Sequence, residues 1–137
     1  AEKEIFPYCQ AENIGVIVRG PLAMGILTGK FDRETRFPEG DFRRSWHEDP
    51  EKYQTFLKDL EKVEQLRQLA DGRSLAQLAL QFVLANPTVS TVIPGAKRVD
   101  QLEENLQAGL LPPLTEQELA QINEIVPPGG GRKIWPA

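Results

Sequence analysis

The stretch "SLAQLALQFVLANPTVSTVIPGAKRVDQLEENL", residues 74–106, decides the fold class because its hydrophobic period changes twice. Apolar residues recur at helical spacing over 74–85, a Ser-x-x-Gln capping-box pattern opens that helix, and an Asn-Pro pair stops it. The β-branched run 88–93 predicts a strand, and a second helix is expected near 99–108. A strand between two helices is typical of a parallel α/β fold.

Two elements and a long connection precede this stretch. The run "IGVIV", residues 14–18, is short, apolar and β-branched, and it predicts a strand buried on both faces. Residues 2–12 are expected to form the end of a helix, although Pro7 limits its regularity. The segment 23–52 is rich in charges, glycine and aromatic residues, and loops of that length are usually functional or disordered.

The other helices are predicted from their apolar stripes and caps. Leucines and a valine recur at helical spacing from Leu57 to Leu69, and an Asp-Gly pair follows as a C-cap. Residues 116–125 form the last predicted helix, with Thr115 as its N-cap and Glu118 closing a capping box.

The resulting architecture is an α/β fold with parallel strands near 14–18 and 88–93. Such sheets bind ligands beyond the C-terminal ends of their strands, so the loops 19–30 and 94–98 are the predicted binding loops. Two strands cannot cover their own edges. The sequence therefore predicts part of a larger α/β fold.

The composition excludes several classes of protein. With 137 residues, 40% of them apolar, the chain is long enough for one globular domain. A net charge of −4 and a pI near 5.1 argue against a general nucleic-acid binder. No apolar run approaches the roughly 20 residues that span a bilayer, and the first residues lack a signal-peptide pattern, so no membrane partner is expected. A lone Cys9 favours the reducing cytoplasm.

The turn after the second strand has the chemistry of an anion site. Gly95 permits close approach to the backbone, and the N–H groups at the start of the next helix carry partial positive charge. Lys97 and Arg98 add full charges. An ordinary solvated helix start would have the same composition, so spacing alone leaves both readings open.

The helix after this turn carries three polar side chains on one face. Gln101, Glu104 and Asn105 follow the i, i+3, i+4 relation, and such groups suit the hydroxyls and amine of an adenosine. A different face of the helix is apolar and is expected to pack on the sheet. It comprises Val99, Leu102 and Leu106.

The loop "RGPLAMGILTGKF", residues 19–31, and its continuation form a candidate strap over an anionic ligand. Lys30 stands where the loop could fold back, and further arginines follow at 33, 36, 43 and 44. Four acidic residues, at 32, 34, 39 and 41, offset most of this charge. A basic strap and a merely charged surface loop therefore both remain open at this point.

Several separated motifs together resemble the C-terminal part of the aldo-keto reductases. These are the stretch 74–106, "IGVIVRGPLAMGILTGKF" at 14–31, "FPEGDFR" at 37–43 and "LTEQELAQI" at 114–122. The resemblance implies a (β/α)₈ TIM barrel that reduces carbonyls with NADPH and without a metal. Residues 1–126 would hold the last two barrel strands and the terminal helices, with 23–52 as the cofactor strap and 127–137 as a tail outside the match.

The resemblance also implies a set of NADP contacts at both strand ends. The set comprises Gly20, Pro21 and Leu22 against the nicotinamide and pyrophosphate, Lys30 and Arg43 in the strap over the pyrophosphate, Gly95 and Lys97 at the 2′-phosphate, and Gln101, Glu104 and Asn105 at the adenosine. Arg98 is adjacent to this set rather than part of it. Arg19 stands where the family usually stacks an aromatic residue on the nicotinamide, which puts the nicotinamide pose in question.

The family's proton-transfer group of Asp, Tyr, Lys and His lies on the first half of the barrel, and none of its motifs is in this sequence. No catalytic residue is therefore predicted. His47 is expected to be a solvent-exposed loop residue, and Trp46 to pin the loop rather than touch substrate.

Three functional hypotheses follow from the resemblance. The first is an NADPH-dependent reductase of aldehydes and ketones, for which this chain supplies the cofactor-binding half. The second is a non-catalytic, NADP-binding regulatory subunit, and the third is an inactive fragment. In each case the chain is expected to pair with the remainder of its own barrel or with a second copy.

Overall fold

The computed structural model describes residues 1–128 as helices arranged around a small sheet. The helices are α1 (Ile5–Ala11), α2 (Ser45–Glu48), α3 (Pro50–Arg67), α4 (Leu75–Leu84), α5 (Val99–Gln107) and α6 (Glu116–Ile125); the strands are β1 (Val16–Arg19) and β2 (Val89–Ile93); two 3₁₀ segments span Ala23–Thr28 and Phe42–Arg44. The predicted order of elements is confirmed. The predicted tail lies almost wholly outside the described residues.

The two strands pair in parallel, as the sequence predicts. Arg19 lies opposite Ile93, and the helices α2 to α4 form the crossover between the strands. β1 begins two residues later than expected because the turn that ends α1 extends into it. In that turn Asn13 has a left-handed φ of 53°, and the Ile14 amide donates to the Cys9 carbonyl at 2.7 Å.

The prediction that the first strand is buried on both faces is wrong for this chain. Val16 and Val18 are half-buried toward the helices, whereas Ile17 on the opposite face is 65% exposed. Ile93 at the end of β2 is 53% exposed. The apolar composition predicts burial, but within residues 1–128 nothing packs over this second face.

The long loop is ordered, and it is shorter than predicted because α3 begins at Pro50, with the Asp49 carboxylate capping its first turn. Its order comes from aromatic packing. Phe37 meets Phe31 edge-on at 5.2 Å and Trp46 at 5.6 Å. Each such contact contributes roughly 0.5–1.5 kcal/mol beyond burial. Buried Trp46 thus pins the loop, the favoured alternative.

The predicted capping boxes are confirmed at both helices. At α4 the Ser74 hydroxyl accepts from the Gln77 amide at 3.1 Å, and the Gln77 side-chain oxygen accepts from the Ser74 amide at 2.9 Å. Thr115 and Glu118 make the same exchange at α6. Pro7 fits within α1 because it occupies the first turn, where an amide needs no helical partner.

The core lies between these capped helices and the aromatic cluster of the loop. α3, α4 and α6 converge on it, and the segment before α6 adds Leu114. Its buried members include Ile26, Phe37, Trp46, Phe56, Val63, Leu66, Leu75, Leu78, Leu114 and Ile122.

The prediction for the apolar face of α5 is wrong. Val99, Leu102 and Leu106 are 71%, 50% and 65% exposed rather than packed on the sheet. The contact of α5 with α4 is instead polar, because the Gln77 Nε2 group donates to the Glu104 carbonyl at 3.2 Å. The apolar stripe faces outward and has no cover among residues 1–128.

Candidate cofactor site

The two predicted binding loops lie side by side at the C-terminal ends of the two strands. Arg19 and Ile93 are register partners at the C-terminal ends of β1 and β2. Adjacent strands are about 4.8 Å apart, so the turns that begin at Gly20 and Pro94 are neighbours. The sheet thus brings together two segments that are more than seventy positions apart in the sequence.

The turn after β1 has an unusual backbone. Gly20 has a left-handed φ of 70°, and buried Pro21 follows. Ala23 and Met24 also have positive φ values, 47° and 56°, which non-glycine residues rarely adopt. Such conformations cost on the order of 1–3 kcal/mol each and persist only where the surroundings impose them. Strain of this kind is typical of ligand-binding turns.

Arg43 supplies part of that support from the strap. Its Nε and Nη2 groups donate to the two Asp41 carboxylate oxygens at 2.9 and 2.6 Å, and Nη1 donates to the Met24 carbonyl at 3.1 Å. The guanidinium carbon lies 4.6 Å from the centre of the Phe37 ring. Arg43 is therefore fixed beside the first turn, whereas Lys30 is exposed on the surface of the same loop.

The turn after β2 is open to solvent. A Cβ atom at Gly95 would meet nothing within 4 Å, so the protein's own packing does not require glycine there. The Lys97 side chain is exposed, and its amide donates to the Gln101 Oε1 atom at 2.9 Å. Arg98 instead forms a two-point ion pair with Asp100, at 2.9 and 2.7 Å. That pairing raises the pKa of Arg98 and lowers the pKa of Asp100.

The polar trio of α5, Gln101, Glu104 and Asn105, is half-buried. The Gln101 Oε1 atom accepts from the Lys97 amide just before the helix, and the Glu104 carbonyl accepts from the Gln77 Nε2 group. The Asn105 Nδ2 atom is buried and has no hydrogen-bond partner within residues 1–128. A buried donor without a partner is costly, so this amide is a place where an acceptor of a ligand would fit.

The Asp41 carboxylate holds the strap arginine electrostatically. Its pKa is lowered to about 2, first by the side-chain hydrogen bonds from Arg43 and then by the Arg43 amide. A count of charges treats Asp41 only as an offsetting charge; the Asp-x-Arg spacing, typical of a side chain that bonds two residues ahead, is the signal that could have found it.

The expectation for His47 is wrong in one respect, because this residue is half-buried. It lies on α2, and its ring stacks on Phe37 with centres 6.0 Å apart. Its Nδ1 atom is buried and has no hydrogen-bond partner in the described part of the chain.

Across residues 1–128, no group of three His, Cys, Asp or Glu side chains is arranged to hold a metal, and no helix is long and apolar enough to cross a membrane.

The sequence profile of the aldo/keto reductase family matches residues 1–127. An aldo-keto reductase of Schizosaccharomyces pombe, whose name specifies NADP(+), is 36% identical over 93% of this chain and 40% of its own length. A probable voltage-gated potassium channel subunit beta of Arabidopsis thaliana is 34% identical over 91% of this chain and 39% of its own length.

Among solved structures, the glycerol dehydrogenase of Gluconobacter oxydans matches with a TM-score of 0.78 and 30% identity, over 91% of this chain and 38% of the dehydrogenase. This chain thus spans about two fifths of the length of the proteins it matches, and its parallel βαβ unit is part of their (β/α)₈ barrel. The chain belongs to the aldo/keto reductase family.

Proposed function

We propose that the protein is an NADP(H)-dependent oxidoreductase that reduces aldehydes and ketones to alcohols, and that this chain supplies its cofactor-binding part. The observation that carries the proposal is the meeting of the two strand-end turns, with Arg43 held beside the first turn and exposed Lys97 on the second. The name of the S. pombe relative, which specifies NADP(+), supports the choice of cofactor.

The residues at these strand ends fit a dinucleotide with a 2′-phosphate. Arg43 uses three of its five N–H donors within the described residues, and two remain for a pyrophosphate. Exposed Lys97 beside open Gly95 suits the 2′-phosphate, and the Asn105 Nδ2 atom, which has no hydrogen-bond partner within residues 1–128, suits the adenosine. The same site would include Gly20, Pro21, Leu22, Lys30, Gln101 and Glu104.

Bound NADPH supplies the hydride in this chemistry; the residues of this chain bind and orient the cofactor. No residue of the chain is proposed as catalytic. The proton would come from a tyrosine outside these residues, its pKa lowered by a neighbouring lysine. We therefore propose that the isolated chain is inactive toward carbonyl substrates.

The uncovered apolar surfaces support a structural partner. Ile17 and Ile93 on the sheet and the apolar stripe of α5 are exposed together. We propose that residues 1–126 form one portion of a barrel, followed by the tail 127–137, and that the rest of the barrel or a second copy covers these surfaces. A small carbonyl compound is the proposed substrate class and the cytoplasm the proposed location.

The second candidate is a non-catalytic, NADP-binding regulatory subunit. The similarity to a probable potassium channel subunit beta favours it. An inactive fragment is the third candidate. The reductase and the regulatory subunit both bind NADP and differ in turnover, whereas an inactive fragment would show no turnover and no function of its own, so binding and turnover are measured together.

The experiment uses the full-length protein. We expect saturable quenching of tryptophan fluorescence by NADPH and NADPH oxidation with aldehydes that stops at the stoichiometric amount of aldehyde. Binding without turnover would favour the regulatory subunit. Absence of NADPH binding would contradict the proposed function in both of its forms.

A further inference from the structure

We propose that Asp41 is the positioning residue of this site, which holds Arg43 in the orientation that meets the cofactor pyrophosphate. The inference rests on the proposed function for its ligand and on the geometry of the Asp41–Arg43 pair for its argument. The resemblance to the family implies a cofactor contact for Arg43 and assigns no role to Asp41.

The Asp41 carboxylate fixes both the backbone and the side chain of Arg43. Its Oδ1 atom accepts from the Arg43 amide at 3.0 Å, which caps the 3₁₀ segment Phe42–Arg44, and from the Arg43 Nε atom at 2.9 Å. Its Oδ2 atom accepts from Nη2 at 2.6 Å. A two-point pair between arginine and carboxylate sets the plane of the guanidinium as well as its distance.

Aromatic rings complete the slot in which the guanidinium lies. The Arg43 guanidinium carbon is 4.6 Å from the ring centre of Phe37, 5.6 Å from that of Phe31 and 5.9 Å from that of Phe42. The fit is tight on the side of the first turn, since a Cβ atom at Gly25 would lie 3.0 Å from the Phe31 ring and 3.5 Å from Nη1 of Arg43.

The pair is shielded from solvent, which distinguishes it from other ion pairs of the strap. The side chains of Arg43 and Asp41 are 21% and 19% exposed, whereas those of Arg44 and Glu48, which pair at 2.6 Å, are 42% and 51% exposed. Shielded charges interact more strongly than solvated ones. Arg43 is therefore ordered before any ligand binds, so binding does not incur the entropic cost of ordering this side chain.

Two opposing effects determine what the removal of Asp41 does to cofactor affinity. The carboxylate repels a pyrophosphate, so its loss would strengthen the attraction. It also orients the two remaining N–H groups of Arg43, so its loss would leave a long side chain to be ordered on binding. Within residues 1–128 the Met24 carbonyl is the other polar group that Arg43 contacts, and a single hydrogen bond does not fix the plane of a guanidinium, so we expect the loss of orientation to dominate.

The test uses the full-length protein with Asp41→Ala, Asp41→Glu, Arg43→Ala and the double variant, with NADPH as the probe. We expect Asp41→Ala to raise the Kd for NADPH about ten-fold and Asp41→Glu to restore part of that loss. The double variant should bind no more weakly than Arg43→Ala alone, since Asp41 acts through Arg43. Glu48→Ala is the matched control, because it removes the ion-pair partner of the neighbouring Arg44. It should change the Kd for NADPH by less than about two-fold.

A second readout does not depend on the cofactor. In ¹⁵N spectra of the ligand-free protein, the Arg43 Nε–H should exchange slowly with solvent, and Asp41→Ala should make it exchange at the rate of a free arginine. An unchanged or lower Kd in Asp41→Ala, or a further ten-fold loss in the Arg43→Ala background, would overturn the inference. If the parent protein itself does not bind NADPH, the proposed function is refuted. The role of Asp41 in cofactor binding is then refuted as well, whatever the Nε–H exchange shows.

Discussion

Replacing Lys97 by alanine is expected to weaken the binding of NADPH about ten-fold and to leave the binding of NADH nearly unchanged. A charge-assisted hydrogen bond contributes roughly 1.5–3 kcal/mol, which corresponds to about 10- to 150-fold in affinity. The lower end applies because the Lys97 side chain is exposed, so solvent weakens the hydrogen bond that it makes to a phosphate.

The assay is a fluorescence titration of the full-length protein with each cofactor at two salt concentrations. Loss of one phosphate contact should reduce the salt dependence of NADPH binding, since salt screens exposed charges. Lys30→Ala is the matched control. This lysine is also exposed, but it is proposed to meet the pyrophosphate, which both cofactors carry, so its loss should weaken NADPH and NADH equally.

Equal losses for both cofactors in Lys97→Ala would refute the assignment of the 2′-phosphate to the turn after β2. A larger loss for NADH than for NADPH would refute it more strongly.

The remaining predictions concern activity, association and pH. The isolated 137-residue chain should not oxidise NADPH with 4-nitrobenzaldehyde above the blank rate, because no proton donor is proposed in it; a clear rate above blank would contradict this. In sedimentation the same chain should associate rather than run as a monomer with a sharp melt, since within residues 1–128 the edges of the two-stranded sheet and the α5 stripe are exposed. The pKa of Asp41 in the fold, about 2, lies below its ordinary 3.8, so its contribution to stability is present above about pH 4 and is lost as pH falls toward 2. Asp41→Asn should therefore lower the free energy of unfolding by about 1 kcal/mol at pH 7 and weaken its dependence on pH over that range. An unchanged dependence on pH would count against the pairing of Asp41 with Arg43.

Elements whose signals are local could be predicted from the sequence. The capping boxes at Ser74 and Thr115 involve residues three positions apart, and both helices begin where those pairs predict. The strand 89–93 is bounded by an Asn-Pro pair and by the Pro-Gly turn, so its limits were visible as well.

What a surface packs against could not be predicted, because that depends on the whole fold. The apolar stripe of α5 indicates burial, yet Val99 is among the most exposed apolar residues of the described chain. The order of the strap depends on Phe37, Trp46 and Phe56, which come from separate segments and meet only in three dimensions.

The candidate site shows the same division. Lys97 and Arg43 were predicted from the resemblance, but the contact of Asp41 with Arg43 appears only in the folded strap, and the two strand-end turns meet only when β1 and β2 pair. A count of charges treats such a carboxylate only as a charge that offsets nearby cations. Its role depends on distances of 2.6 to 3.0 Å that no composition reveals.

A crystal structure of the full-length protein with NADP(H) would show directly whether the cofactor binds at the two strand-end turns. We expect the 2′-phosphate within hydrogen-bond distance of Lys97, and the pyrophosphate against Arg43 and the turn that begins at Gly20. A cofactor bound at any other place, or bound with its adenosine end away from Asn105, would contradict this expectation.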